Sequence, residues 1–252
     1  MVFNTYGDIN NPAVMLMHGM CQHWKSMYAF MHKLEENYYL IISGMDGFYE
    51  GAGDFTTFAD QCRQIEEYIK ENHGGKVYGY YGISQGTIVG AELLARNNIE
   101  IEKTFFDGTY VAHQGYLAGL GTYKIFASAK KNGGKFPKAM NIVMNLMGLS
   151  EDDMDMLKYV YWDASYDSIK QNMIQNYTYH VNPEITNNQT RLWLCCGSKE
   201  PYAKKSHKIL KKYITPVDEI ILEGYGHGQM MYKHGDKLCD LIVGAWEDKV
   251  II

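Results

Sequence analysis

Proline and cysteine are scarce in this chain, with five of each, and neither basic nor apolar residues gather into long runs. Each shortage removes a class of protein. Five prolines and 25 glycines in 252 residues exclude collagen-like and low-complexity sequence, and 46% hydrophobic residues argue against disorder. The cysteines (Cys21, Cys62, Cys195, Cys196 and Cys239) are odd in number and follow no framework spacing. That pattern predicts a reducing compartment rather than a disulfide scaffold. The basic pairs Lys130–Lys131 and Lys204–Lys205 are too short to track a phosphate backbone, and net charge is −5, so no nucleic-acid partner is expected. No stretch reaches the ~18 apolar residues of a membrane span, and the first residues lack a basic signal-peptide region. The expectation is a cytoplasmic protein. No His-Glu-x-x-His, Cys-x-x-Cys or phosphate loop occurs, and Gly51-Ala-Gly53 fails as a dinucleotide fingerprint because Thr56 holds the third glycine position. No metal or organic cofactor is implied.

What is present is alternation. Apolar runs at Ala13–Met17, Tyr38–Ser43, Lys76–Tyr81, Lys103–Phe106, Arg191–Cys196 and Glu219–Leu222 read as strands buried on both faces. Between them, residues 58–69, Thr87–Asn97, Tyr202–Tyr213 and Gln229–Glu247 carry helical spacing, the first stopped by Gly74-Gly75. Such alternation predicts an α/β fold with a mostly parallel sheet flanked by helices. The segment 110–183 breaks the rhythm with helical pattern and no clear strand. It predicts a helical lid inserted between two strands, leaving 1–109 and 184–252 as the core. Ser150 and Asp153 have the spacing of a capping box, and Met140, Met144 and Met147 form a stripe. The tyrosines, Trp162 and methionines of this insertion would pack it onto the sheet and could also roof a pocket.

Gly82-Ile83-Ser84-Gln85-Gly86 stands directly between a predicted strand and a predicted helix. A tight strand-to-helix turn lifts a serine hydroxyl above the sheet and needs glycines where a Cβ would clash. The helix that follows aims free N–H groups and partial positive charge at the reacting oxygen. His227, in Gly224-Tyr225-Gly226-His227-Gly228, is the histidine flanked by two glycines after a strand, which leaves the imidazole unshielded as a general base for Ser84. The acid that orients it is expected at Glu200, where Glu200-Pro201 follows the strand Arg191–Cys196; Asp107, ending the strand Lys103–Phe106, is the alternative. The oxyanion donors are expected to be the backbone N–H groups of Gln85 and of Met20, in the turn His18-Gly19-Met20, with His18 a buried support.

Taken together, His18-Gly19, Gly82–Gly86, Gly197–Glu200 and Gly224–Gly228 resemble the α/β-hydrolase superfamily over essentially the whole chain. Asp46-Gly47 and Gly51–Asp54 resemble that family's Asp-x-x-Gly-x-Gly-x-Ser loop, stretched and without its serine, and Glu200 stands where small capped members usually carry Asp. The resemblance implies a small capped serine hydrolase, carboxylesterase-like, with a helical cap after the sixth strand. The expected substrate is a small or medium, mostly apolar ester-like molecule, cleaved through an acyl-enzyme on Ser84. A C–C bond hydrolase or thioesterase on the same residues, or a slow-turnover ligand-binding receptor, stays open as an alternative.

Overall fold

The computed structural model describes residues 1–249, less the side chains of Glu151, Asp152, Met154 and Asp155. Among these, seven strands form one sheet: β1 (Val2–Tyr6), β2 (Ala13–Met17), β3 (Tyr39–Gly44), β4 (Lys76–Ile83), β5 (Glu100–Asp107), β6 (Arg191–Gly197) and β7 (Val217–Leu222), in the order β1-β3-β2-β4-β5-β6-β7. Every pairing is parallel except β1 with β3. The α/β reading holds. β1 shows no apolar run because it is an edge strand, half-buried except for the exposed Thr5, with no continuous apolar core to its sequence.

Successive strand residues face opposite sides of the sheet, as the pleat requires. Met15, Met17, Ile41, Tyr80 and Phe106 join one core; Leu16, Ile42, Tyr81, Phe105 and Trp193 join the other. Helices cover both. α1 (Phe58–His73) starts where the Thr57 hydroxyl accepts the Asp60 amide and stops at Gly74, which takes φ 62°. α2 (Gly86–Arg96) follows β4 after only Ser84 and Gln85.

The insertion between β5 and β6 holds α3 (Tyr116–Lys131), α4 (Met140–Leu146), a 3₁₀ segment Glu151–Tyr159, α5 (Tyr166–Thr178) and a second 3₁₀ turn, Pro183–Asn187. Counted along this chain it follows the fifth strand rather than the sixth, because only one strand precedes the first parallel one. The Ser150–Asp153 contact forms, with the carboxylate accepting both the Ser150 amide at 2.8 Å and its hydroxyl at 2.9 Å, although the turn it opens is 3₁₀. Backbone bonds tie the insertion to the loop after β2: His23 N–H donates to Tyr159 at 2.8 Å, Tyr161 N–H donates to Cys21 at 2.9 Å, and Gln22 bridges Val160 between them.

After β6 and β7 come α6 (Pro201–Leu210), α7 (Gln229–Lys233) and α8 (Gly235–Trp246). The expected single helix from Gln229 is thus two. His234 leaves helical geometry, and Gly235 passes so close to Ala29 that a Cβ would lie 2.2 Å from its carbonyl oxygen. No helix among the described residues is long and apolar enough to cross a membrane.

Candidate active site

The carboxyl ends of β2, β4, β5, β6 and β7 converge on one place. Strand order reverses between β2 and β4, and ligands of open α/β sheets bind outside the strand ends at such a switch. Ser84 leaves β4 with φ 55°, a left-handed conformation that L-residues rarely take. The turn is closed so tightly that a Cβ on Gly82 would meet the Gly86 carbonyl oxygen at 2.6 Å, and one on Gly86 would meet that of Met17 at 2.5 Å. Both glycines are therefore sterically required. Thr87 braces the turn: its hydroxyl donates to the Ser84 carbonyl at 2.6 Å and accepts the Tyr110 amide at 2.9 Å.

His227 and Glu200 meet, with 2.6 Å between Nδ1 and Oε2. Both are buried, and Glu200 Oε1 accepts the Gly197 amide, which holds the carboxylate in place. Burial pulls the imidazole pKa down, but the charge and hydrogen bond of Glu200, with a contribution from Asp107, raise it above the usual value. The imidazole is not open to solvent as its glycine neighbours suggested; it is 3% exposed. The insertion covers it, since His227 N–H donates to the Met147 carbonyl at 2.9 Å and a Cβ on Gly226 would lie 2.2 Å from the Gly148 oxygen. Those glycines permit close approach rather than exposure.

Asp107 stands elsewhere in the cluster, accepting the Tyr81 hydroxyl at 2.9 Å. Burial, then the nearby charge of Glu200, raises its carboxyl to about 7. Two carboxylates this deep and this close are not ionised together at low cost.

Ser84 and His227 line one cavity with Met20, Gln22, Tyr110 and Tyr232. Its volume is about 50 Å³, room for a few waters. Among the described residues no hydrogen bond joins the Ser84 hydroxyl to His227, and such contacts often tighten only around substrate. The backbone amides of Met20 and Gln85 likewise donate to no protein group. His18 is fully buried: its Nε2 accepts the Met45 amide at 3.2 Å and Nδ1 lies 2.8 Å from the Gly19 carbonyl, the bonding of a neutral ring donating through Nδ1. Burial lowers its pKa to about 4. It fixes the turn that presents Met20.

Other residues were missed in sequence because only folding brings them here. Gln22 and Tyr232 bond to each other across the cavity, and the Gln85 side chain forms a reciprocal amide pair with Asn172 of α5, at 2.9 and 3.1 Å. Met140, Met144 and Met147 also line the cavity, so the methionine stripe packs the insertion and roofs the pocket at once. All five cysteines are buried and unpaired, and none lines this cavity. Among the described residues no cluster of three or more His, Cys, Asp or Glu side chains could hold a metal ion.

No protein-family model matches the chain, and no curated protein matches it in sequence. Solved structures do. A protein of the alpha/beta hydrolase family from Desulfitobacterium hafniense superposes with a TM-score of 0.82 at 20% identity, over 96% of this chain and 98% of that one. A carboxylesterase from the thaumarchaeon Nitrososphaera gargenis gives 0.76 at 16%, over 98% and 95%. An enol-lactonase from Burkholderia xenovorans gives 0.77 at 13%, over 98% and 96%.

Proposed function

We propose that this chain, which has the α/β-hydrolase fold, is a serine hydrolase that cleaves an ester-like bond of a small, mostly apolar acyl substrate. The observation that carries the reading is Ser84, held at φ 55° on the elbow and sharing a cavity with an imidazole already bonded to Glu200. Nothing in the packing of a βα turn calls for those three groups at three different strand ends.

The chemistry follows from the placement. Ser84 Oγ turns toward His227 Nε2, gives it a proton, and attacks the carbonyl carbon. The carbonyl oxygen becomes an oxyanion and accepts from the Met20 and Gln85 amides, which donate to no protein group among the described residues. Glu200 holds Nδ1–H and stabilises the imidazolium. Collapse of the intermediate expels the alcohol, which takes the proton from Nε2. A water then gives His227 its proton and attacks the acyl-enzyme; the acid leaves and Ser84 recovers its hydrogen. The 110–183 insertion acts as the cap that keeps bulk water out, and its methionines let the roof adapt to the acyl group. No step draws on a metal or organic cofactor.

The test is intact-protein mass after treatment with a fluorophosphonate probe. One adduct on the wild type that is lost in Ser84→Ala is the expected result. A Ser84→Ala variant that kept esterase activity would sink the proposal, as would a folded wild type that takes no adduct and hydrolyses no short ester.

A further inference from the structure

Helix α5 carries a buried polar stripe. Ser168, Asn172 and Asn176 recur every four residues, so they stand on one face a turn apart. Their exposures are 0%, 0% and 2%. Protein groups answer the first two. Ser168 Oγ accepts the Phe55 amide at 3.0 Å and donates to Asp54 at 2.9 Å, and Asn172 pairs with Gln85. Asn176 breaks the pattern. Its Oδ1 has no hydrogen-bond partner among the described residues, and the side chain forms part of the wall of the cavity that holds Ser84 and His227. Buried side-chain polar atoms are seldom left so, because their desolvation is then uncompensated.

Two contacts fix where this carboxamide stands. Asn172 touches the residue directly after Ser84, and Asn176 follows one helical turn on, about 6 Å along the same face. The next residue, Tyr177, meets Tyr110 edge-on at 6.1 Å, and Tyr110 meets the His227 ring in the same way at 6.2 Å. The carboxamide with the unanswered oxygen thus belongs to the wall of the reaction cavity beside the elbow.

The surroundings narrow what would answer it. An acceptor needs a donor. Among the described residues no Asp or Glu lines this cavity, and an ammonium group would find no counter-charge among them. Much of the remaining wall is apolar, including Phe126, Met140, Val143 and Met144. A hydroxyl brings one donor in little volume, and a half-turn of the carboxamide can also donate to its lone pair. We infer that Asn176 is a specificity-determining residue that hydrogen-bonds an uncharged hydroxyl on a short, otherwise apolar acyl group. The inference rests on the Ser84 cavity being the substrate site.

Binding separates it from turnover. Ser84→Ala protein is titrated with methyl butyrate and with methyl 2- and 3-hydroxybutyrate by ligand-observed NMR. At least one hydroxylated ester is expected to bind about tenfold or more tightly than the plain one. In Ser84→Ala/Asn176→Leu that ratio should fall to within about twofold of unity; if this protein does not fold, Asn176→Ala in place of Asn176→Leu is read in the same way. A ratio near unity in Ser84→Ala, a ratio that survives loss of the carboxamide, or no detectable binding of either hydroxylated ester overturns the inference. Fluorophosphonate labelling of the wild type tells the two readings apart. Labelled Ser84 with no hydroxyl preference removes only the role of Asn176; a preference in a protein whose folded wild type neither labels nor hydrolyses a short ester removes only the hydrolase.

Discussion

Glu200 and Asp107 both lie near the His227 imidazole, and their surroundings give them different chemistry. Glu200 accepts a backbone amide on one oxygen and meets His227 with the other, so both of its oxygens are held. Asp107 has a tyrosine hydroxyl, and burial with the nearby charge of Glu200 raises its pKa to about 7, so its proton is held far more firmly than that of an ordinary carboxyl. Glu200→Gln should therefore lower kcat about 10³-fold or more, while Asp107→Asn should stay within about tenfold of the wild type, measured on one short ester. Asp107 has a second, independent signature. Its folded pKa lies above the ordinary carboxyl value, so the stability it contributes is complete below pH ~4 and drains away as pH rises toward 7. Asparagine does not titrate. Relative to wild type, Asp107→Asn should gain about 3 kcal/mol of unfolding free energy between pH 5 and 8, read from urea melts at both pH values. A constant difference would mean that Asp107 titrates as it does in the unfolded chain.

At the scale of elements, the site exists because strand ends share one level. The register pairs Met17 with Gly82, Ile83 with Asp107, and Asp107 with Cys195, so the loops that carry Met20, Ser84 and Glu200 all start from one rim. Gly108 shows how little slack remains. It takes φ 54°, and a Cβ there would lie 2.7 Å from Cε1 and Nδ1 of His227. Gly108→Ala should shift the ring off Glu200 and lower kcat/KM about 100-fold or more with the fold retained, a split that activity and far-UV circular dichroism together would reveal. Much of this layout was legible in the sequence. Strands buried on both faces leave continuous apolar runs, and the elbow leaves its glycines. The edge strand β1 and the break at His234 were not legible, because each depends on what lies beside it rather than on local pattern. Asn176 was invisible for the same reason: one asparagine in a helical stretch gains meaning only once its neighbours on the stripe have been paired and it has not. The unshielded imidazole was misread because glycine marks close approach as readily as openness, and only the position of Gly148 tells which.

Across the whole molecule, the sheet and its two cores form a fixed frame, while the cavity is shared between that frame and the 110–183 insertion. Cys21 and His23, on either side of the Gln22–Val160 bridge, bind the insertion through their backbones, and they lie within three residues of Met20. Lifting the insertion away would pull on those bonds, and hence on the amide proposed to receive the oxyanion. On the proposed function, an acyl chain that fits beneath the closed roof would find the proposed donors aligned. A longer one must hold the roof ajar, and the misalignment then falls on the chemical step. Across a series of straight-chain esters, kcat should fall together with kcat/KM once the chain outgrows the cavity, instead of KM alone rising; steady-state kinetics from acetate to octanoate would show it. Two backbone hydrogen bonds thereby turn a cover into a ruler: on the proposed function, the protein would measure its substrate by whether its own catalyst stays assembled.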